Sequence, residues 1–518
     1  MTSKFFNLEN SYLSLSNQFY AHSAPTPASQ PKLLAWNEAL AKDFGLLQSN
    51  FSDKEKALYF TGSDIIPGST PVSLAYAGHQ FGRFVATLGD GRAHLLGDFI
   101  SPDGKRYDIQ LKGSGITPFS RNGDGKSALG PVLREYLVSE AMHAMGIPTT
   151  RALAAASTGE FVFRDTPKPG AVFTRVAPSH IRVGTFEYFA ARGDTDSLQK
   201  LLLFAAARHF PELPANPTLP LAFLQAVVRQ QADLIAQWMS VGFIHGVMNT
   251  DNTAVGGFTI DFGPCAFMDE YNSNKVFSFI DKQGRYAYSR QPLMAQWNLA
   301  RLAQALLCLS QENTNEVATL CEQEVQKFSE LYEAAWLKRM AAKIGIMSPI
   351  SEDAALIKQW LSFVENGSLD FTLSFRVLAN MLFSNNTTDG AAIAETAATI
   401  GTLETSGAGN KNDSHDLCYS LPQNNGWHDF RQKWYHRVLK QNLPLAAIAE
   451  KMNSVNPLYI PRNHILEAVI SEATEGNFSL FQTMQEILLT PYNEKPQYLK
   501  FSQAPTPQQR VLNTFCGT

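Results

Sequence analysis

Four features follow one another along this chain. A strand pattern ends in a lysine, a helix pattern carries glutamates, His245 and Asn252 stand seven residues apart in HGVMNTDN, and Asp261-Phe262-Gly263 comes after them. The strand RYDIQLK alternates Ile109 and Leu111 against Asp108, Gln110 and Lys112, so one face is apolar and the other polar. The helix PVLREYLVSEAMHAMG has Pro131 near its first turn, where the missing N–H costs nothing, and Gly146 to stop it. AFLQAVVRQQADLIAQWMSVGF reads as a long amphipathic helix that runs into His245. Any fold for this chain must therefore set a strand-rich segment ahead of a helix-rich one.

At 518 residues the chain exceeds what one hydrophobic core can organise, which predicts two or three domains or lobes. Residues 1–82 read as an N-terminal extension, with short helical patterns broken by SAPTPASQPK. Residues 83–176 read as strand-strand-strand-helix-strand-strand. The first two strands form a hairpin across Gly89-Asp90-Gly91, and the last two span 152–163 and 171–176. Residues 177–350 are mostly helical, with two short strands expected around Gly256-Gly257. Residues 351–518 form a further helical region, with an extended tail and a flexible insertion at 384–426 that is poor in large apolar groups. A net charge of -4 speaks against a general nucleic-acid footprint. Five dispersed cysteines without a C-x-x-C pair indicate neither a zinc site nor a disulfide framework, and they fit a reducing, cytoplasmic setting. The N-terminus lacks an apolar run of signal-peptide length, and no run suits a membrane span.

A nucleotide site needs cations near the phosphates, oxygen ligands for a metal, and backbone N–H groups free to meet oxygens. Gly89, Gly91 and Arg92 in GDGR offer close backbone approach and a charge, although such a turn alone more often serves a hairpin. Lys112 could reach phosphates and pair with a helix glutamate; distance admits both Glu135 and Glu140, and helical periodicity does not choose between them. Asp124 and Gly125 in NGDGK precede a helix N-terminus. Arg175 and Arg182 could clamp phosphate oxygens. Asn252 and Asp261 are oxygen ligands of the kind Mg²⁺ takes in small number.

The order of these parts describes an α+β, bilobal protein-kinase-like fold that binds metal-ATP between its lobes. One position disagrees with phosphoryl transfer. The H-x₆-N frame of a kinase carries the catalytic aspartate two residues after the histidine, and here that position is Val247.

YAGHQFGRF, LGDGRA, QLKGSGITPFSRNGDGK, REYLVSEAMHAMGIPTTRAL, RVAPSHIRVGTFE, HGVMNTDN and IDFGP together resemble the selenoprotein O (SelO/YdiU) family. The resemblance implies a kinase-like fold that binds ATP in a reversed orientation and transfers AMP to protein hydroxyls. It implies that Gly89, Gly91, Arg92, Asp124 and Gly125 contact the nucleotide, and that Lys112 meets phosphates and pairs with Glu135. It further implies that Arg175 and Arg182 hold phosphates, that Asn252 and Asp261 bind Mg²⁺ or Mn²⁺, and that Asp251 accepts the proton. The implied partners are proteins with Ser, Thr or Tyr acceptors, the chain itself among them, and neither nucleic acid nor membrane. Some relatives carry selenocysteine or cysteine near the C-terminus, where this chain has Cys516; Cys265 is one conceivable partner for that thiol.

Overall fold

The computed structural model describes residues 8–46, 51–310, 314–384 and 421–514. Its centre is a mostly antiparallel sheet. The strands, in chain order, are β1 (Tyr20–His22), β2 (Lys32–Trp36), β3 (Val72–Leu74), β4 (Gly78–Gln80), β5 (Arg83–Val85), β6 (Ala93–Ile100), β7 (Arg106–Lys112), β8 (Ser127–Ala128), β9 (Arg151–Phe163) and β10 (Pro167–Ala177). The main sheet runs β1-β3-β6-β7-β10-β9-β2, with β8 paired to β10. Residues before 83 thus supply β1, β2 and β3 to the sheet. They also supply α1 (Glu38–Asp43) and α2 (Asp53–Thr61). Leu40 and Phe60 from these two helices share a buried cluster with Ile109, Leu111, Val172 and Val176. The apolar side of β7 therefore packs under these helices, and its polar side faces inward on the opposite face.

That opposite face is covered by α3 (Leu129–Ala144), whose residues are buried nearly all round. The cause is a second cover beyond the sheet. The helical part of the chain comprises α4 (Val183–Ala190), α5 (Thr195–His209), α6 (Leu219–Ser240), α7 (Gln291–Leu307), α8 (Thr314–Lys343), α9 (Asp353–Asn366), α10 (Phe371–Ser384), α11 (Asn425–Leu439), α12 (Leu445–Val455), α13 (Asn463–Thr474) and α14 (Ser479–Leu488). Both α13 and α14 pack on α3: Tyr136 meets Phe481 edge-on at 5.7 Å, and a side chain at Gly130 would press on Ile470. Arg134 donates to Asn463 Oδ1 and to the Cys265 carbonyl, tying α3 to both later segments. A helix buried on every side carries no one-sided apolar stripe, so its pattern cannot say which glutamate faces the sheet.

Two expectations are corrected. The run 83–100 is not one hairpin. β5 pairs with β4 in a separate two-stranded ribbon, and β6 pairs with β3 and β7. The tight turn falls at Phe81-Gly82, both at positive φ (50° and 83°), the geometry of a two-residue type I′ turn. Asn or Gly usually leads such a turn, and phenylalanine hid it. Phe81 is held there by its N–H, which donates to Asn249 Oδ1 at 3.0 Å, and by its ring, 5.1 Å from Tyr286. Gly89 and Asp90 instead return to β3's side of the sheet, with their N–H groups on Tyr76 and Leu74 carbonyls. Nor do short strands flank Gly256-Gly257. A turn there sends Ala254 to bridge Arg182, and Thr259 to bridge Thr149. The expected insertion at 384–426 falls mostly outside the described residues; its end does not, since Leu421 is buried and α11 begins at Asn425.

Candidate active site

Strand register assembles the site. Side chains alternate along a strand, so Gln110 and Lys112 share the inner face of β7. Arg175 on β10 stands opposite Gln110 and donates to its Oε1 at 2.6 Å. Lys112 lies in the interior of the sheet with 13% of its side chain exposed, not on a solvent-facing edge. Its Nζ donates to Glu135 Oε2 and to Asp261 Oδ1, each at 2.7 Å. The structure brings Glu135, not Glu140, to the lysine. Glu140 is occupied by Arg151, the Ala152 N–H and the Asn37 amide.

Asp261 is the hub. Arg175 donates to its Oδ1 at 2.6 Å and Arg182 to its Oδ2 at 3.0 Å. Burial pushes its pKa up, but Arg175, Lys112 and Arg182 together outweigh burial and hold the carboxyl well below the usual range. Its backbone sits at φ 63°, a left-handed conformation that Asp tolerates better than most residues. His245 helps fix this turn: buried, it bonds through Nε2 to the Ile260 carbonyl at 2.9 Å.

Asp251 lies in a short 3₁₀ turn, Thr250–Asn252, and is buried. Its carbonyl accepts from Arg182 at 2.9 Å, but its Oδ1 has no hydrogen-bond partner among the described residues. Burial raises its pKa to about 7, against the pull of Arg182. An unsatisfied buried acceptor costs stability, which marks it as a group awaiting a partner. The β4–β5 ribbon forms the wall here. The His79 N–H donates to Thr250 Oγ1 at 2.6 Å, and any side chain at Gly78 would collide with Asp251 Oδ1. Asn252 donates its amide to the Val247 carbonyl at 3.0 Å, leaving Oδ1 for another partner, and no hydrogen bond joins it to Asp261 among the described residues.

The remaining candidates divide. Arg92 lines a cavity with Lys112, Glu135, Phe173, Phe262 and Gly263. Gly89 and Gly91 face the loop that precedes α3, where side chains would strike Phe119. Asp124 stays outside the cluster: Arg164 grips its carboxylate at 2.8 and 3.0 Å and helps hold its pKa low. Gly125 is packed on the Gly115 carbonyl with φ 65°, a place no side chain fits. Cys265 is buried and Cys516 lies outside the described residues. Sequence reasoning missed Asp90 and Tyr76. Asp90 is buried, accepts from Gln110 Nε2 at 2.9 Å and stands 3.7 Å from Arg182, whose guanidinium lies over the Tyr76 ring. The polar face of β7 was the available signal, because a buried polar face requires polar partners.

Lys112→Met is expected to remove activity and also to destabilise the protein, by roughly 2–3 kcal/mol for the loss of hydrogen bonds to charged groups. Urea denaturation checks this. An unchanged midpoint would show the lysine to be a dispensable surface group.

Among the described residues no helix is long and apolar enough to cross a membrane, and no group of three or more His, Cys, Asp or Glu could hold a metal. The sequence model of the family described as Protein adenylyltransferase SelO matches residues 4–488. A Protein nucleotidyltransferase YdiU of Rhizobium rhizogenes is 48% identical over 511 residues, covering 98% of this chain and 96% of its own. Proteins of the same name from Rhizobium meliloti and Nitrosococcus oceani are 46% and 44% identical over 514 residues, each covering 99% of this chain and 99% and 97% of their own. The chain is thus an enzyme of the nucleotidyltransferase class. It belongs to the SelO family.

Proposed function

We propose that this enzyme transfers AMP from ATP to Ser, Thr or Tyr hydroxyls of proteins and releases pyrophosphate, on a kinase-like bilobal fold. The carrying observation is the pair Val247 and Asp251. Position 247 offers no base, whereas Asp251 presents a buried carboxylate oxygen, Oδ1, without a hydrogen-bond partner among the described residues. ATP sits with its α-phosphorus toward Asp251. The acceptor hydroxyl gives its proton to Asp251, its oxygen bonds to the α-phosphorus, and the bond from that phosphorus to the bridging oxygen of pyrophosphate breaks. Lys112, Arg175 and Arg182 are already gathered on Asp261 and would offset charge on the departing phosphates. Asn252 and Asp261 would hold Mg²⁺ or Mn²⁺. Two oxygen ligands fit such an ion only when phosphate oxygens complete its shell, which agrees with the lack of a larger acidic cluster among the described residues. The bound ion supplies positive charge to the phosphates.

The test is ATP labelled at either the α- or the γ-phosphate, with Mg²⁺ or Mn²⁺ and a broad set of acceptor proteins. The α-label is expected on protein, with the mass gain of an adenylyl group. A γ-label on protein would replace this reading with kinase chemistry, and neither label would leave a nucleotide-binding scaffold.

A further inference from the structure

We infer that the face beside Asp251 is a docking surface for acidic segments of the protein substrate. This rests on the proposed AMP transfer and names its substrate class. The β4–β5 ribbon that walls Asp251 continues outward into an arginine-aromatic ladder. His79, bonded to Thr250, lies tilted against Phe84 at 5.0 Å and meets Trp297 edge-on at 5.2 Å. The guanidiniums of Arg285 and Arg301 lie 4.8 and 5.0 Å from the Trp297 ring. Arg83 follows the ribbon turn and is exposed, as is Phe84 at 42%. Arg192 lies over Tyr188 and donates to Thr87, just beyond the ribbon. None of these four guanidiniums forms an ion pair with a carboxylate among the described residues, although the Arg285 backbone N–H donates to Asp281 Oδ1 at 2.9 Å and the chain as a whole carries a net charge of -4. The Glu187 carboxylate beside the ribbon is taken by His79 at 2.5 Å. A guanidinium seated on an aromatic ring can still turn N–H groups toward a carboxylate; Arg192, which donates to the Tyr188 carbonyl and to Thr87, has the fewest left. A peptide that reaches Asp251 along the ribbon side crosses this ladder, so acidic residues flanking the acceptor are the complementary chemistry.

The experiment uses the full-length enzyme, α-labelled ATP and three peptide sets with a central Ser, Thr or Tyr flanked by Glu, Ala or Lys. The Glu-flanked set is expected to be labelled fastest, on the order of tenfold over Ala, from two or more exposed ion pairs at a few-fold each. The advantage should shrink as salt is raised. Arg83→Glu combined with Arg301→Glu should reverse the preference toward Lys flanks while the KM for ATP stays unchanged. Arg83→Glu alone, on an exposed side chain without an ion-pair partner among the described residues, gives the same direction should the double variant fail to fold. Equal labelling of all three sets would overturn the docking surface and leave AMP transfer standing. So would label on proteins but on no peptide, or variants that raise the KM for ATP without moving the flank preference. Failure to place α-label on any peptide or protein would instead remove the proposed function itself.

Discussion

Asp251→Asn is expected to slow AMP transfer by roughly 10²–10⁴-fold, the usual contribution of a positioned general base. Asparagine keeps the size, and its side-chain oxygen can still accept from Gln80, which bonds to the Asp251 carboxyl, so the wall built by Gly78 and the Arg182 contact to the backbone carbonyl should survive. What disappears is the proton acceptor. Nucleotide binding should persist, which isothermal titration can check against the transfer rate. Stability provides a second readout in the metal-free enzyme. The folded Asp251 carboxyl has its pKa raised to about 7, so folding favours the neutral acid. Its stabilising contribution is complete below the ordinary carboxyl range and is lost as pH rises through about 7. Asparagine has no charge to bury. The variant's Tm should therefore gain on the wild type's between pH 5 and 8, under a chelator. A variant that transfers AMP at the wild-type rate, or whose Tm falls relative to wild type over that range, would remove Asp251 from this role.

Asp261→Ala is expected to abolish transfer and metal-dependent nucleotide binding, and to cost about 3–5 kcal/mol of stability, the usual price of removing one partner from a buried ion cluster. The geometry explains the size. Lys112, Arg175 and Arg182 converge on this one carboxylate, and without it their charges lose a shared counter-ion. Glu135, Gln110 and Asp90 remain as partners, so the fold should survive at reduced stability. Asp261→Asn separates charge from backbone. Asparagine accepts the left-handed φ of 63° where alanine is strained, so it should be more stable than the alanine variant by about 1 kcal/mol. Both should be inactive. Chemical denaturation and metal-stimulated thermal shift by ATP measure the two effects, and metal-stimulated stabilisation retained by Asp261→Ala would exclude it as a ligand.

Much of the candidate site was legible because its pieces are local. Lys112 ends an alternating strand, His245 and Asn252 keep their spacing, and Asp261 opens a D-F-G; each follows from residues adjacent in sequence. Legibility failed where local signals were ambiguous. A glycine-aspartate-glycine run reads as a hairpin turn, and nothing nearby shows that residues 88–90 instead return to β3. Phe81 does not look like a turn residue, because its strained backbone is held by Asn249 and Tyr286, far along the chain. Nothing adjacent to Asp124 in the chain shows that Arg164, far along it, holds its carboxylate.

The polar face of β7, the Asp261-Phe262-Gly263 turn and the valine at 247 were determined by the sequence alone, because side-chain alternation and turn chemistry act over a few residues. Tertiary structure decided which glutamate meets Lys112, since α3 is enclosed by the sheet on one side and α13 and α14 on the other, and only packing rotates it. It also decided that Asp90 and Tyr76 orient Arg182, and that the 78–85 ribbon walls Asp251. These contacts join residues far apart in the chain, and their energy depends on burial and on mutual charge, neither of which exists until the chain has folded.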